Sequence, residues 1–293
     1  MTNLEVLLKD PYIKSFIKDN NLSESFVSSH INLFSGVYES RLKCINCKDL
    51  DLCLQKSKGE RLSLACEKIV MQEIEYCPYM KDSLFASSLS NKYVYTDIPD
   101  SYANVNLNKI ELLDDGQKQL CARLLAVLNK KSNKGLYIYG YLGVGKTYEA
   151  IALSNNLVLK GYKVAFVKVS NFINEVRKLV ASDSDLFDSY MNKLKKVDYL
   201  FLDDIGSESV SSFSRDDVLF NILDYRMENK LTTFFTSNLS KEDLKEHYTF
   251  DKKDNGNLMM AERLLERIDI LADDFVLVGD NKRKALWYIK LVF

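Results

Sequence analysis

"LYIYGYLGVGKTYEAI", residues 136–151, is the stretch on which the fold turns. The apolar run Leu136–Tyr139 reads as a buried strand, and the residues from Lys146 onward read as an amphipathic helix that ends at Gly161. Between them Gly140, Gly145, Lys146 and Thr147 fit the pattern G-x-x-x-x-G-K-[ST]. Gly140 lets the chain leave the strand sharply. Gly143 and Gly145, with Val144 between them, let backbone N–H groups close around a phosphate without a Cβ in the way. Lys146 reaches the β- and γ-phosphates of a nucleotide, the Thr147 hydroxyl binds Mg²⁺, and the helix that begins here, with Tyr148 in its first turn, points its N-terminus at the anion. A bare strand-to-helix turn would need none of these types at these positions.

Two further strand ends agree with this reading. "VDYLFLDD", residues 197–204, is an apolar strand that delivers Asp203 to a Mg²⁺ shell, the Walker B arrangement, and puts Asp204 where an acid can polarise an attacking water. "TTFFTSN", residues 232–238, ends in Ser237 and Asn238, and the Asn238 side chain is expected to orient that water against the γ-phosphate. The nucleotide is expected to be ATP, because no Asn-Lys-x-Asp guanine signature follows the loop, and "NKIE" at 108–111 precedes it.

From about residue 97 strand-like and helix-like stretches alternate, which predicts an α/β fold with a parallel sheet flanked by helices. The 293 residues, 46% hydrophobic and 28% charged, are enough for two domains. The expected division is 1–92 and 93–293, with 93–105 as a linker or strap. A net charge of -1 gives no bulk field toward nucleic acid, so any such contact needs a local patch. No apolar run is long enough for a membrane span, and the N-terminus lacks a signal-peptide core, so no membrane partner and a cytoplasmic location are expected.

Five of the six cysteines lie between 44 and 77, and Cys121 stands apart. "CINC" at 44–47 has the C-x₂-C spacing of a Zn²⁺ grip, and two later thiolates would close a tetrahedron. In a reducing compartment such density favours zinc over disulfides. Residues 1–40 read as short helices, so this region is expected to be a small, mostly helical zinc-binding domain with the metal in a structural role.

"GYLGVGKT", "FLDDIG", "RDDVLFNILDYRM", "FTSN" and "AERLLERI" together resemble the AAA+ ATPase module of bacterial replicative helicase loaders of the DnaI/DnaC type. The resemblance is strongest over 135–270, and the cysteine cluster resembles the helicase-contacting zinc domain of the Gram-positive branch. It implies ATP-dependent loading of the hexameric replicative DNA helicase onto single-stranded DNA during primosome assembly. It further implies self-association on the helicase ring and contacts with initiator or primosome proteins. Catalytic residues implied or read from the motifs are Lys146, Asp203, Asp204, Asn238 and Arg263, with Arg263 acting on a neighbouring subunit's nucleotide and Arg267 as the alternative. For zinc, the resemblance leaves a histidine position unfilled. Cys44, Cys47, Cys66 and Cys77 are the expected ligands, with Cys53 as the alternate. The chain after Arg267 is too short for a full lid domain, as in these loaders. Arg177 and Lys178 are candidate contacts to single-stranded DNA. The competing functional readings are an ATP-binding transposition helper and a nucleotide-switched adaptor with negligible turnover.

Overall fold

A computed structural model describes residues 3–110, 114–132, 134–249 and 255–282, and the chain divides into two compact units, Met1–Phe85 and Ala86–Phe293.

The first unit opens with four helices, α1 (Leu4–Lys9), α2 (Pro11–Asp19), α3 (Glu24–Ser29) and α4 (Ile31–Leu42). Short polar side chains start three of them: Asn3, Asp10 ahead of Pro11, and Ser23 each accept a hydrogen bond from a first-turn N–H. The run 23–40, which reads as one helix, breaks at His30. That ring stacks on Phe26 and its Nδ1 lies 3.0 Å from the Phe26 carbonyl oxygen, so it occupies an acceptor at the end of α3. An antiparallel hairpin follows, β1 (Glu60–Cys66) and β2 (Val70–Tyr76), paired from Glu60↔Tyr76 to Cys66↔Val70. The core of this unit is small: Leu7, Ile13, Val27, Phe34, Val37 and Leu64. Polar contacts tie the hairpin to the helices. The Tyr12 hydroxyl accepts from Leu64 N at 2.9 Å, Arg41 lies over the Tyr12 ring, and Glu75 takes both Arg41 and Arg61. The domain is therefore helical with a hairpin that the cysteine-dominated reading of 41–80 passed over.

Helix α5 (Pro78–Ser90) leads into the second unit. In the stretch 93–105, expected as a linker or strap, β3 (Tyr95–Thr96) pairs with the sheet and Ala103 is buried in the core. Next come α6 (Asp115–Leu128), β4 (Gly135–Tyr139), α7 (Lys146–Leu159), β5 (Val164–Lys168), α8 (Val169–Ser182), α9 (Ser184–Lys196) and β6 (Tyr199–Asp203). A π-helical run, Phe213–Phe220, then continues into α10 (Asn221–Glu228). Last are β7 (Thr232–Ser237), α11 (Lys241–Tyr248), α12 (Asn255–Leu271) and β8 (Ala272–Val276). The sheet order is β3-β5-β6-β7-β4-β8, and every pairing is parallel.

Alternation along each strand feeds two cores, because successive side chains point to opposite faces. Tyr137, Val167, Leu200, Leu202 and Phe235 pack with α8–α12, while Leu136, Ile138, Phe166, Phe201 and Phe234 pack with α6 and α7. The rings of Phe166, Phe201 and Phe234 stack across three adjacent strands. Among the described residues no helix is long and apolar enough to cross a membrane.

Among the described residues, the Arg226 cation is fully enclosed. The Arg226 guanidinium donates to Thr233 Oγ1 and to the carbonyls of Leu194, Lys195, Val197 and Thr232, over 2.7–3.2 Å. Burial pulls against its charge, and the carbonyls at the end of α9 hold it there, as cations are held at helix C-termini. It therefore fastens α9 to β7. Replacing it would strand several buried acceptors. Arg226→Met is expected to lower the unfolding free energy by roughly 3 kcal/mol in chemical denaturation. An unchanged denaturation midpoint would contradict this role.

Candidate nucleotide-binding site

In parallel sheets of this kind ligands bind beyond the carboxyl ends of the strands. That edge is where β4, β6 and β7 deliver their polar termini. β4 passes into the loop 140–145, and Gly145, in left-handed conformation, starts α7. The loop is pressed against the chain that follows β8. At Gly140, with φ of 146°, a Cβ would meet the Leu277 carbonyl oxygen at 2.2 Å, and at Gly143 it would meet Asn281 Oδ1 at 2.2 Å. Both glycines are needed for this close approach as well as for the turn. Val144 is buried and anchors the loop, and Tyr148 stands half-exposed with its ring edge-on to Tyr102.

The candidate side chains of the loop and the strand ends are joined by hydrogen bonds. Lys146 Nζ donates to Gly140 O at 2.8 Å, Tyr141 O at 2.9 Å and Asn238 Oδ1 at 2.9 Å. Thr147 Oγ1 donates to Asp203 Oδ1 at 2.8 Å, and Asn238 Nδ2 donates to Asp204 Oδ1 at 3.0 Å. Burial pushes the Asp203 carboxyl up, while hydrogen bonds from Thr236 and Thr147 oppose the shift. Asp204 adopts a left-handed backbone with φ of 57°, which aims the two consecutive aspartates in different directions. Lys146, Thr147, Asp203, Asp204 and Asn238 are thus brought together.

The sequence reading missed Thr236, whose hydroxyl donates to Asp203 Oδ1 at 2.6 Å and accepts from Asp204 N at 2.9 Å. Its signal was a hydroxyl directly after the apolar pair Phe234–Phe235, two positions before Asn238. Ser237 points inward instead and donates to Ile205 O. Also missed was Glu149, fully buried one turn after Lys146, which accepts from Gln117 Nε2 at 3.2 Å.

The arginines of α12 lie outside this network. Arg267 pairs with Asp224 at 3.0 Å and with Glu266. Arg263 is exposed, rests over the Phe220 ring, and among the described residues pairs with no carboxylate. Glu262, its neighbour along α12, is taken by Lys245. Arg177 and Lys178 are exposed on α8.

The cysteines require a correction. Cys66 is exposed and pairs opposite Val70 at the turn of the hairpin. Cys77 closes the other end, where its N–H meets Gly59 O at 2.8 Å. Those ends are about 20 Å apart at the usual rise per strand residue, so Cys66 cannot share an ion with Cys77. Cys53 is on the Cys77 side: its Sγ accepts from Gly59 N at 3.3 Å. Cys77 Sγ accepts from Met80 N and Cys44 Sγ from Gln55 Nε2. N–H donors from Gly59 and Gln55 pull the Cys53 thiol down. Desolvation pushes the Cys47 thiol up, and its neighbours Cys53, Cys44 and Cys77 push the same way. Among the described residues no three ligand side chains are gathered as a ready-made metal site. The donor chemistry nevertheless fits a metal, since three of the sulfurs accept N–H bonds.

Comparison with known proteins follows the same outline. The family model of the IstB-like ATP binding protein matches residues 104–285. The replicative helicase loader DnaI of Bacillus subtilis (strain 168) is 28% identical over 291 residues, covering 95% of this chain and 91% of that protein. A crystal structure of DnaI aligns with a TM-score of 0.56 and 32% identity, over 67% of this chain and 99% of that one. A crystal structure of the DnaC helicase loader shares the fold, with a TM-score of 0.50 and 23% identity, over 61% of this chain and all of that one (100%).

Glu149 yields a pH test. Burial raises its carboxyl to about 7, with Gln117 and Lys282 opposing the shift and Asp114 adding to it. Since the folded value lies above the unfolded one, the native state holds the extra proton and stability falls as pH rises between about 4.5 and about 7. Glu149→Gln should therefore stabilise the nucleotide-free chain by roughly 1–3 kcal/mol above pH 7 and by little below pH 4.5. A pH-independent difference in thermal melts would refute the assignment.

Proposed function

Because this chain belongs to the IstB-like ATP-binding family, we propose that it is an ATPase that loads a hexameric replicative DNA helicase onto single-stranded DNA during primosome assembly. The observation that carries the reading is an alignment with the loader DnaI that spans both units, including the cysteine-bearing one that lies outside the family match. That unit supports loading over the transposition-helper reading, which concerns the ATPase unit alone.

In this reading Lys146 exchanges its loop carbonyls and Asn238 for phosphate oxygens. Asp204 polarises the attacking water and Asn238, freed from Lys146, orients it. Mg²⁺ would be held by Thr147 and Asp203, and it neutralises phosphate charge when bound. A buried carboxylate that faces hydroxyls rather than a cation suits that ion. Arg263 is the arginine that acts in trans on a self-associated ring, since Arg267 is committed to Asp224. The exposed Arg177 and Lys178 contact the strand's phosphates, and the first unit docks on the helicase. Zn²⁺ would be held there by Cys44, Cys47, Cys53 and Cys77, and it supplies a structural cross-link.

Two measurements test these assignments. Asp204→Asn should still bind ATP but hydrolyse it on the order of 100-fold more slowly, and helicase loading on single-stranded DNA should fail with it. Loading at the parental rate would exclude hydrolysis from the cycle. For the metal, Cys53→Ser should lose zinc in elemental analysis of the purified protein while Cys66→Ser retains it. The reverse result would restore Cys66 as a ligand.

A further inference from the structure

The residues after β8 lie directly on the phosphate loop. Leu277 N donates to Tyr139 O at 2.7 Å and Lys282 N donates to Gly143 O at 3.0 Å, so the segment is fastened at the entry of the loop and within it. The Lys282 side chain turns in alongside it. Its Nζ lies 3.7 Å from where a Cβ on Gly145 would stand. That nitrogen is withdrawn from solvent and has no hydrogen-bond partner among the described residues. Among the described residues it forms a long ion pair with Asp114 Oδ2, at 3.9 Å. Glu149 lies within its electrostatic reach, and Glu149 Oε2 is also without a hydrogen bond.

A buried ammonium that donates no hydrogen bond is held at a cost. Asp114 and Glu149 moderate that cost through the field alone. The loop beside it is built to collect anionic oxygens, and a four-carbon stem has the freedom to re-aim its end by a few ångströms. We propose that Lys282 is a second cationic ligand for the polyphosphate of a nucleoside triphosphate, delivered to the loop by the exit of the last strand. This rests on the ATP-binding reading of the loop. It assigns to one residue beyond β8 a share of the affinity that the loop motif alone would claim.

The test is titration calorimetry of the full chain with ATP, using the parent, Lys282→Gln and Lys282→Arg, with circular dichroism as the check on folding. Lys282→Gln should bind ATP about ten-fold more weakly, while Lys282→Arg stays within about three-fold. If Lys282 only offsets Asp114 and Glu149, Lys282→Gln lowers the melting temperature of the nucleotide-free chain and leaves ATP affinity unchanged, which overturns the proposal. A parent chain that does not bind ATP overturns the nucleotide reading as well, so the two failures are distinct. A second readout does not depend on the glutamine variant folding. In the parent protein carrying ¹³C-methylated lysines, the Lys282 resonance, identified by its loss in Lys282→Arg, should shift on addition of ATP. A resonance indifferent to saturating ATP would overturn the proposal.

Discussion

The ammonium of Lys146, held between two loop carbonyls and Asn238, is the contact on which the site depends. It ties the loop after β4 to the end of β7. Through Asn238 the link continues to Asp204, and through Thr147 and Thr236 a parallel link reaches Asp203. Three strands, adjacent in the order β6-β7-β4, therefore share one polar edge. In the proposed reading, the bonds of Lys146 to Gly140, Tyr141 and Asn238 and that of Thr147 to Asp203 are the ones a triphosphate and its cation would replace.

The sheet makes such an edge possible because both its faces are closed. Aromatic stacking across β5, β6 and β7 on one face, and the α8–α12 layer on the other, leave the carboxyl ends as the place for unsatisfied polar groups. Arg226 contributes from below, fixing the end of α9 so that the α8–α9 pair stands on a set base. The first unit has no comparable reserve. Its core is a handful of side chains, and a domain of that size gains much from a metal cross-link.

The second unit was legible because its signals are short-range and periodic. Gly140, Lys146 and Thr147 are fixed by what a phosphate requires, and Asp203 by lying at the end of an apolar strand. Thr236 was not legible, because its partner Asp203 comes from another strand, and only the β6–β7 pairing joins them. The same holds for Cys53 and Cys66. Spacing along the chain left them as rivals, and a hairpin register separated them. Arg263 and Arg267 were alike in sequence, and Asp224, on α10, distinguishes them. The π-helical winding at Phe213–Phe220 carries no sequence signature. There Arg215 turns inward to the carbonyls of Tyr248 and Asn257, a long-range demand.

The central claim is that Lys146 gives up its loop carbonyls for phosphate oxygens. Calorimetric titration of the full chain with magnesium ATP and with adenosine, on the parent and on Lys146→Ala, tests it most directly. The account predicts saturable ATP binding by the parent, at least about 100-fold tighter than adenosine, and loss of that preference in Lys146→Ala. Equal affinity for ATP and adenosine, or an undiminished preference without the lysine, would contradict it.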